Sequence, residues 1–119
     1  MLAVSCSKQP RAVLCSVDGE LDAFCIRAFR EATSPLGSLA GPVVVDLSGV
    51  TFVDGSGLAA LIGLTRRCHE RSVDVVFCAK AAIARALRGA GFDRIAPMAA
   101  GVDEAIRLVA GSPESAVSA

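Results

Sequence analysis

The sequence predicts a single α/β domain, a mixed and mostly parallel sheet of four to five strands with about four helices. Three observations carry this. The chain has 119 residues, 53% of them hydrophobic and 20% charged, which suits one aliphatic core and is too short for two. After an opening pair of strand-like segments, strand and helix patterns alternate, as parallel sheets with crossover helices require. The run Val43-Val44-Val45-Asp46-Leu47 shows no polar face before Asp46, which points to a strand covered on both sides.

Leu2 to Cys6 reads as a short strand, with Lys8-Gln9-Pro10 as the turn of a hairpin. Arg11 to Glu20 is the second strand: Val13, Cys15 and Val17 alternate with Leu14 and Ser16, and Asp18-Gly19 stops it. Leu21 to Ala32 has helical spacing, with Leu21, Phe24, Cys25, Ala28 and Phe29 on one apolar stripe. Thr33 to Ser38, with Pro35 and Gly37, ends it. The buried strand Val43–Leu47 follows, then a loop from Ser48 to Asp54. From Ser56 to Glu70 the period is helical, with Leu58, Leu61, Ile62, Thr65 and Cys68 sharing a face. Val73 to Cys78 is a strand, and Ala81 to Arg88 a helix with Ala82, Ile83, Ala86 and Leu87 on one side. Gly89-Ala90-Gly91 breaks that helix. Arg94 to Met98 reads as a short strand that Pro97 places at an edge or a strand end. Val102 to Val109 is the last helix, with Asp103 and Glu104 in its favoured first turn. The domain is expected over 1–110, with a flexible tail over 111–119.

Composition excludes several functions. Twelve basic residues balance twelve acidic ones, and there is no Trp or Tyr. Such a chain has no electrostatic or stacking basis for direct nucleic-acid binding, nor for an anionic membrane. No apolar run reaches membrane-spanning length, and Met1 to Arg11 does not read as a signal peptide, so the expected location is the cytoplasm. The five cysteines, Cys6, Cys15, Cys25, Cys68 and Cys78, form no Cys-x-x-Cys pair, and His69 is the single histidine. No metal site and no cofactor are expected from them. They read mainly as small buried hydrophobes, with a thiol-redox role open for a pair such as Cys68 and Cys78.

Catalytic readings fail on the same residues. A serine triad would have to use His69. Ser56 sits in Asp54-Gly55-Ser56-Gly57, which lacks the glycine two residues before the serine that a nucleophile elbow needs. Gly55-Ser56-Gly57-Leu58-Ala59-Ala60 loosely matches a dinucleotide fingerprint, but residues 48–54 separate it from its strand. No Gly-Lys-Ser/Thr loop is present for ATP. The remaining candidate is a helix start. Ser56 lies where backbone N–H groups are unpaired and the dipole is positive. It can be an N-cap or a phosphoryl acceptor, which would bring about −1.5 to −2 charges beside Asp54. Gly57, a poor helix residue, suggests a close approach to the backbone. Asp22 can likewise be the cap of the first helix.

The run from Val43 to Leu58, Val-Val-Val-Asp-Leu-Ser-Gly-Val-Thr-Phe-Val-Asp-Gly-Ser-Gly-Leu, resembles the central segment of STAS domains. It resembles the bacterial anti-sigma factor antagonists in particular. Gly19-Glu20-Leu21-Asp22 is similar to the family's turn after the second strand. The resemblance extends from about Val13 to Val109 and implies a STAS-like fold. It implies that Ser56 is a phosphorylation site lined by Asp22 and Asp54. Gly55, Gly57 and Leu58 would complete the partner-binding loop. Gly55 departs from the family, which commonly has Ser there.

The implied function is a non-enzymatic partner switch in transcription regulation and stress response. The unphosphorylated form would bind an anti-sigma factor, itself a serine kinase, and free a sigma factor. Phosphorylation would release the antagonist and a serine phosphatase would restore it. The alternatives are a non-phosphorylated STAS subunit of a transporter or sensory assembly, and a thiol-regulated antagonist.

Overall fold

The computed structural model describes residues 1–110; the tail expected over 111–119 lies outside the described residues. An antiparallel hairpin opens the sheet. β1 (Leu2–Lys8) runs against β2 (Val13–Leu21), from Leu2 opposite Gly19 to Lys8 opposite Val13. β3 (Val43–Val53), β4 (Val75–Cys78) and β5 (Met98–Ala99) extend the sheet in parallel, in the order β1-β2-β3-β4-β5. Three crossovers carry α1 (Ile26–Thr33), α2 (Gly55–Glu70) and α3 (Ala81–Gly89), and α4 (Val102–Ala110) follows the last strand. The expected mixed, mostly parallel sheet with crossover helices is what the chain builds, with five strands and four α-helices among the described residues.

Crossovers of one hand between successive parallel strands bring their helices to one face. The main core lies there: Val13, Cys15 and Val17 of β2 and Val45 and Leu47 of β3 meet Phe29, Leu61, Leu64 and Leu87. Phe77 and Phe92 pack edge to face, with centroids 4.8 Å apart. α4 closes the opposite face, where Ala105 and Val109 cover Val44, Val76 and Cys78. Val43, Val44 and Val45 are all buried because β3 is central and covered on both sides.

The segment after β2 differs from the expected helix. Leu21 is the buried last residue of β2, and Asp22 is extended. A 3-10 turn over Ala23–Cys25 comes next, and α1 begins only at Ile26. The apolar stripe is thereby split: Leu21 and Phe29 are buried by different elements, while Phe24 is 96% exposed and Ala28 is on the surface. The Ser48–Asp54 loop is also replaced. β3 continues to Val53 because two irregularities in register, between Ser16 and Asp18 and between Gly19 and Glu20, let it keep pairing with β2. Gly19 takes φ +107°, a left-handed conformation that favours glycine, at the second irregularity.

Smaller shifts follow from packing. β4 begins at Val75 rather than Val73. α3 turns Ile83, Ala84 and Leu87 inward and leaves Ala82 and Ala86 exposed. The final strand shrinks to Met98–Ala99, since Phe92–Arg94 forms a 3-10 turn that carries Phe92 into the core. On α2, Leu64 joins the buried face, while Leu58 and Ile62 are half-buried.

The two phenylalanines of the split stripe should behave oppositely. Phe29→Ala should lower the free energy of unfolding by about 3–5 kcal/mol through its cavity. Phe24→Ala should stay within about 0.5 kcal/mol of the parent. Urea titration followed by circular dichroism checks both.

Candidate functional site

The site forms where β2 and β3 end side by side. Leu21 and Val53 are register partners at the last rung of the ladder, so the next residues, Asp22 and Asp54, leave the sheet together. Each is extended, and each caps the helical turn after it. Asp22 Oδ1 accepts the Phe24 N–H at 3.0 Å and starts the 3-10 turn. Asp54 Oδ1 accepts the Gly57 N–H at 2.9 Å and starts α2, while its carbonyl accepts the Leu58 N–H at 2.8 Å. The cap of α2 is therefore Asp54 and not Ser56. An Asp cap is worth about 0.5–2 kcal/mol against Ala.

The helix start is fastened to β2 by backbone. The Asp54 N–H donates to the Leu21 carbonyl at 3.2 Å. Gly57 is buried against that same carbonyl, and a Cβ there would run into it. The close approach that Gly57 signalled is thus internal, to the end of β2. Gly55 is exposed with open space around the position of a Cβ, so a serine there would be accommodated. Leu58 is half-buried and packs on the main core. It anchors the first turn from beneath.

Ser56, the second residue of α2, is exposed. Among the described residues, no side-chain hydrogen bond engages its hydroxyl. It projects from a helix N-terminus whose first N–H groups have no partner further back in the helix, in a positive dipole field. An added anion is favoured there by about 0.3–1 kcal/mol. Two exposed aromatic rings that sequence reasoning missed stand on the segments flanking Asp22 and Asp54. Phe24 sits on the turn packed against α2, and Phe52 near the end of β3 is 47% exposed. Helical spacing alone places Phe24 in a core stripe, and the Ser48–Asp54 run places Phe52 in a loop. The cap signal at Asp22 points to Phe24, since a helix start after Asp22 removes Leu21 from the helix.

Acid–base groups do not converge on Ser56. His69 lies in the last turn of α2, about 20 Å away at 1.5 Å per residue. Among the described residues no three His, Cys, Asp or Glu side chains cluster as a metal site.

The cysteines sort differently from the expectation. Cys68 belongs to the main core and Cys78 to the core under α4, on opposite faces of the sheet, so these two cannot pair. The thiols in contact are Cys6 and Cys15, facing each other across β1 and β2 with Sγ atoms 3.2 Å apart. That contact holds Cys6 below the ordinary thiol value and raises Cys15, which burial raises further. Burial, with the Asp46 carboxylate beside it, pushes Cys78 up to about 12.

The family model for the STAS domain matches residues 3–105. No curated protein matches the chain. Among solved structures, an anti-sigma factor antagonist from Mycobacterium paratuberculosis is similar at 23% identity and TM-score 0.82, over 92% of this chain and 94% of that one. RsbS from Moorella thermoacetica, as a serine-to-glutamate variant, is similar at 23% identity and TM-score 0.73, over 89% and 93%. The STAS domain of a SulP transporter from Vibrio cholerae is similar at 17% identity and TM-score 0.64, over 86% and 83%. At these identities the likeness is one of fold.

The two glycines flanking Ser56 should separate in mutagenesis. Gly57→Ala should destabilise by about 1–3 kcal/mol, as overpacking does, and Gly55→Ala by no more than about 0.5 kcal/mol; urea midpoints report both. Thiol reactivity should follow the microenvironments. At pH 8 a pKa near 12 leaves Cys78 about 10⁻⁴ thiolate. Native alkylation with iodoacetamide, mapped by mass spectrometry, should mark Cys6 well before Cys15 or Cys78.

Proposed function

The chain belongs to the STAS family, and on that premise we propose that it is an anti-sigma factor antagonist switched by phosphorylation of Ser56. The carrying observation is that Ser56 is exposed at the start of α2 while Asp54 supplies the cap. The hydroxyl is free for modification, and the helix does not need it. In this reading the unmodified protein binds an anti-sigma factor through the end of the sheet that carries Asp22, Asp54, Gly55 and Ser56, and so frees a sigma factor.

The anti-sigma factor acts as kinase. The Ser56 Oγ attacks the γ-phosphorus of ATP, the new O–P bond forms, the bond to the β-phosphate oxygen breaks, and ADP leaves. The hydroxyl proton passes to a base of the kinase. The product carries about −1.5 to −2 charges close to Asp54. The helix N-terminus tolerates that charge, whereas a partner surface packed over it faces like-charge repulsion and buried anion cost. Hydrolysis by a phosphatase restores the binding form. The protein contributes a substrate serine and an interface, with no catalysis of its own. The exposed rings of Phe24 and Phe52 supply the apolar contact such an interface needs.

The likeness to the transporter domain supports a second reading, a STAS subunit of a transporter or sensory assembly in which Ser56 stays unmodified. One experiment separates them. With a cognate kinase and ATP, the parent protein should gain one phosphoryl group and Ser56→Ala none, by intact mass. Ser56→Glu should weaken partner binding at least about tenfold, near 1.4 kcal/mol, with a melting temperature within about 3 °C of the parent. Normal phosphorylation of Ser56→Ala would overturn the site. Unchanged affinity of Ser56→Glu would overturn the electrostatic switch.

A further inference from the structure

A groove opens at the other end of α2, between its last turns and the α1 segment. Its volume is about 500 Å³, within the range of small-molecule sites. The floor is aliphatic: Leu36 and Leu64 are buried and Val73 is half-buried, with the Cys68 thiol beside them. The rim is cationic. Arg30 reaches it from α1, and Arg67 and Arg71 from the end of α2. Glu70 is the one carboxylate among the lining residues.

One guanidinium group, that of Arg67, is held in place without being neutralised, and that of Arg71 lies close by. Arg67 Nη2 donates to Thr33 Oγ1 at 3.4 Å. The buried Thr33 hydroxyl is itself fixed by donating to the Phe29 carbonyl at 2.8 Å. Arg71 lies over Gly37, where a Cβ would fall 2.7 Å from its Nη1. Among the described residues the only ion pair joins the Met1 amino group to Glu20, so Arg30, Arg67 and Arg71 have no carboxylate partner. Their field reaches the floor: burial raises the Cys68 thiol, and Arg67 and Arg71 pull it back down. A helix C-terminus attracts cations. Arg30 and Arg67 stand in the last turns of their own helices on that account, and the fold brings these two ends, with Arg71 just beyond α2, together over one apolar floor.

We propose that this groove binds a free, single-chain amphipathic anion, a medium-chain fatty acid, with its carboxylate on Arg67 and Arg71 and its alkyl chain along Leu36, Leu64 and Val73. The planar guanidinium fork matches a carboxylate in two hydrogen bonds, and the aliphatic floor suits an unbranched chain better than a sugar or a base. Ser56 and Cys68 are twelve residues apart on α2, about 18 Å along the axis. The groove is thus separate from the phosphorylation site, and its occupancy leaves Ser56 accessible.

The test is a titration of isotope-labelled protein with monomeric decanoate, decanol and decyltrimethylammonium, followed by amide chemical shifts. Decanoate should give saturable shifts at Leu64, Cys68 and Val73, with decanol and the cation at least about tenfold weaker. Arg67→Gln combined with Arg71→Gln should lose at least about tenfold in decanoate affinity. Arg30→Gln, on the other helix, should also weaken decanoate, and keeps the test valid if the double variant perturbs the fold. Equal binding of the three ligands overturns the proposal, as does unchanged affinity in every arginine variant that folds. Capture by phosphatidylglycerol vesicles without decanoate shifts in the groove assigns the patch to a membrane surface and also overturns it.

Discussion

The Leu21 carbonyl is the point on which the working end of the molecule depends. It closes β2, accepts the Asp54 N–H, and has Gly57 pressed against it. A carbonyl at the end of an interior strand needs a partner, and here the partner is the residue that starts the next helix. The end of β2, the end of β3 and the first turn of α2 are therefore one unit. A side chain at Gly57 would push α2 off the sheet and take Ser56 with it.

That junction divides labour among neighbouring residues. Asp54 caps α2 and Asp22 caps the turn beside it. Both carboxylates are thus committed to backbone N–H groups within the fold. Leu58 holds the first turn from below. Ser56 and Gly55 carry no such duty, and they are the exposed members of the run. A charge can be placed on Ser56 without removing any hydrogen bond that shapes the helix. Phe24, just after Asp22, and Phe52, just before Val53, are exposed on the segments that flank the two caps.

α2 links two regions of different character. Its N-terminus offers a positive dipole end with free N–H groups. Its C-terminal turns offer arginine side chains over an aliphatic groove. The sixteen residues of α2 keep the two apart, and its buried face ties both to the same core. The positive potential comes from backbone at one end and from guanidinium groups at the other.

Much of this was legible in the residues. Alternation of Val13, Cys15 and Val17, the two-sided run at Val43 to Val45 and the helical period after Ser56 dictated the layers and their order. The Asp54–Leu58 run and the Gly19–Asp22 turn pointed to a candidate site through their resemblance to STAS domains, and the helix start at Ser56 through its own chemistry. These are local signals, since period and cap chemistry act within a few residues. Contacts between distant segments decided the rest. Pairing with β2 turned Ser48–Val53 into strand, and an extended Asp22 split an apparently continuous stripe, exposing Phe24. Only packing put Cys68 and Cys78 on opposite faces and brought Cys6 against Cys15. The sequence alone determined that a serine stands at a helix start between glycines. The tertiary structure decided that Asp54 caps that helix and that Gly57 serves the Leu21 carbonyl, because both facts depend on where β2 ends in space.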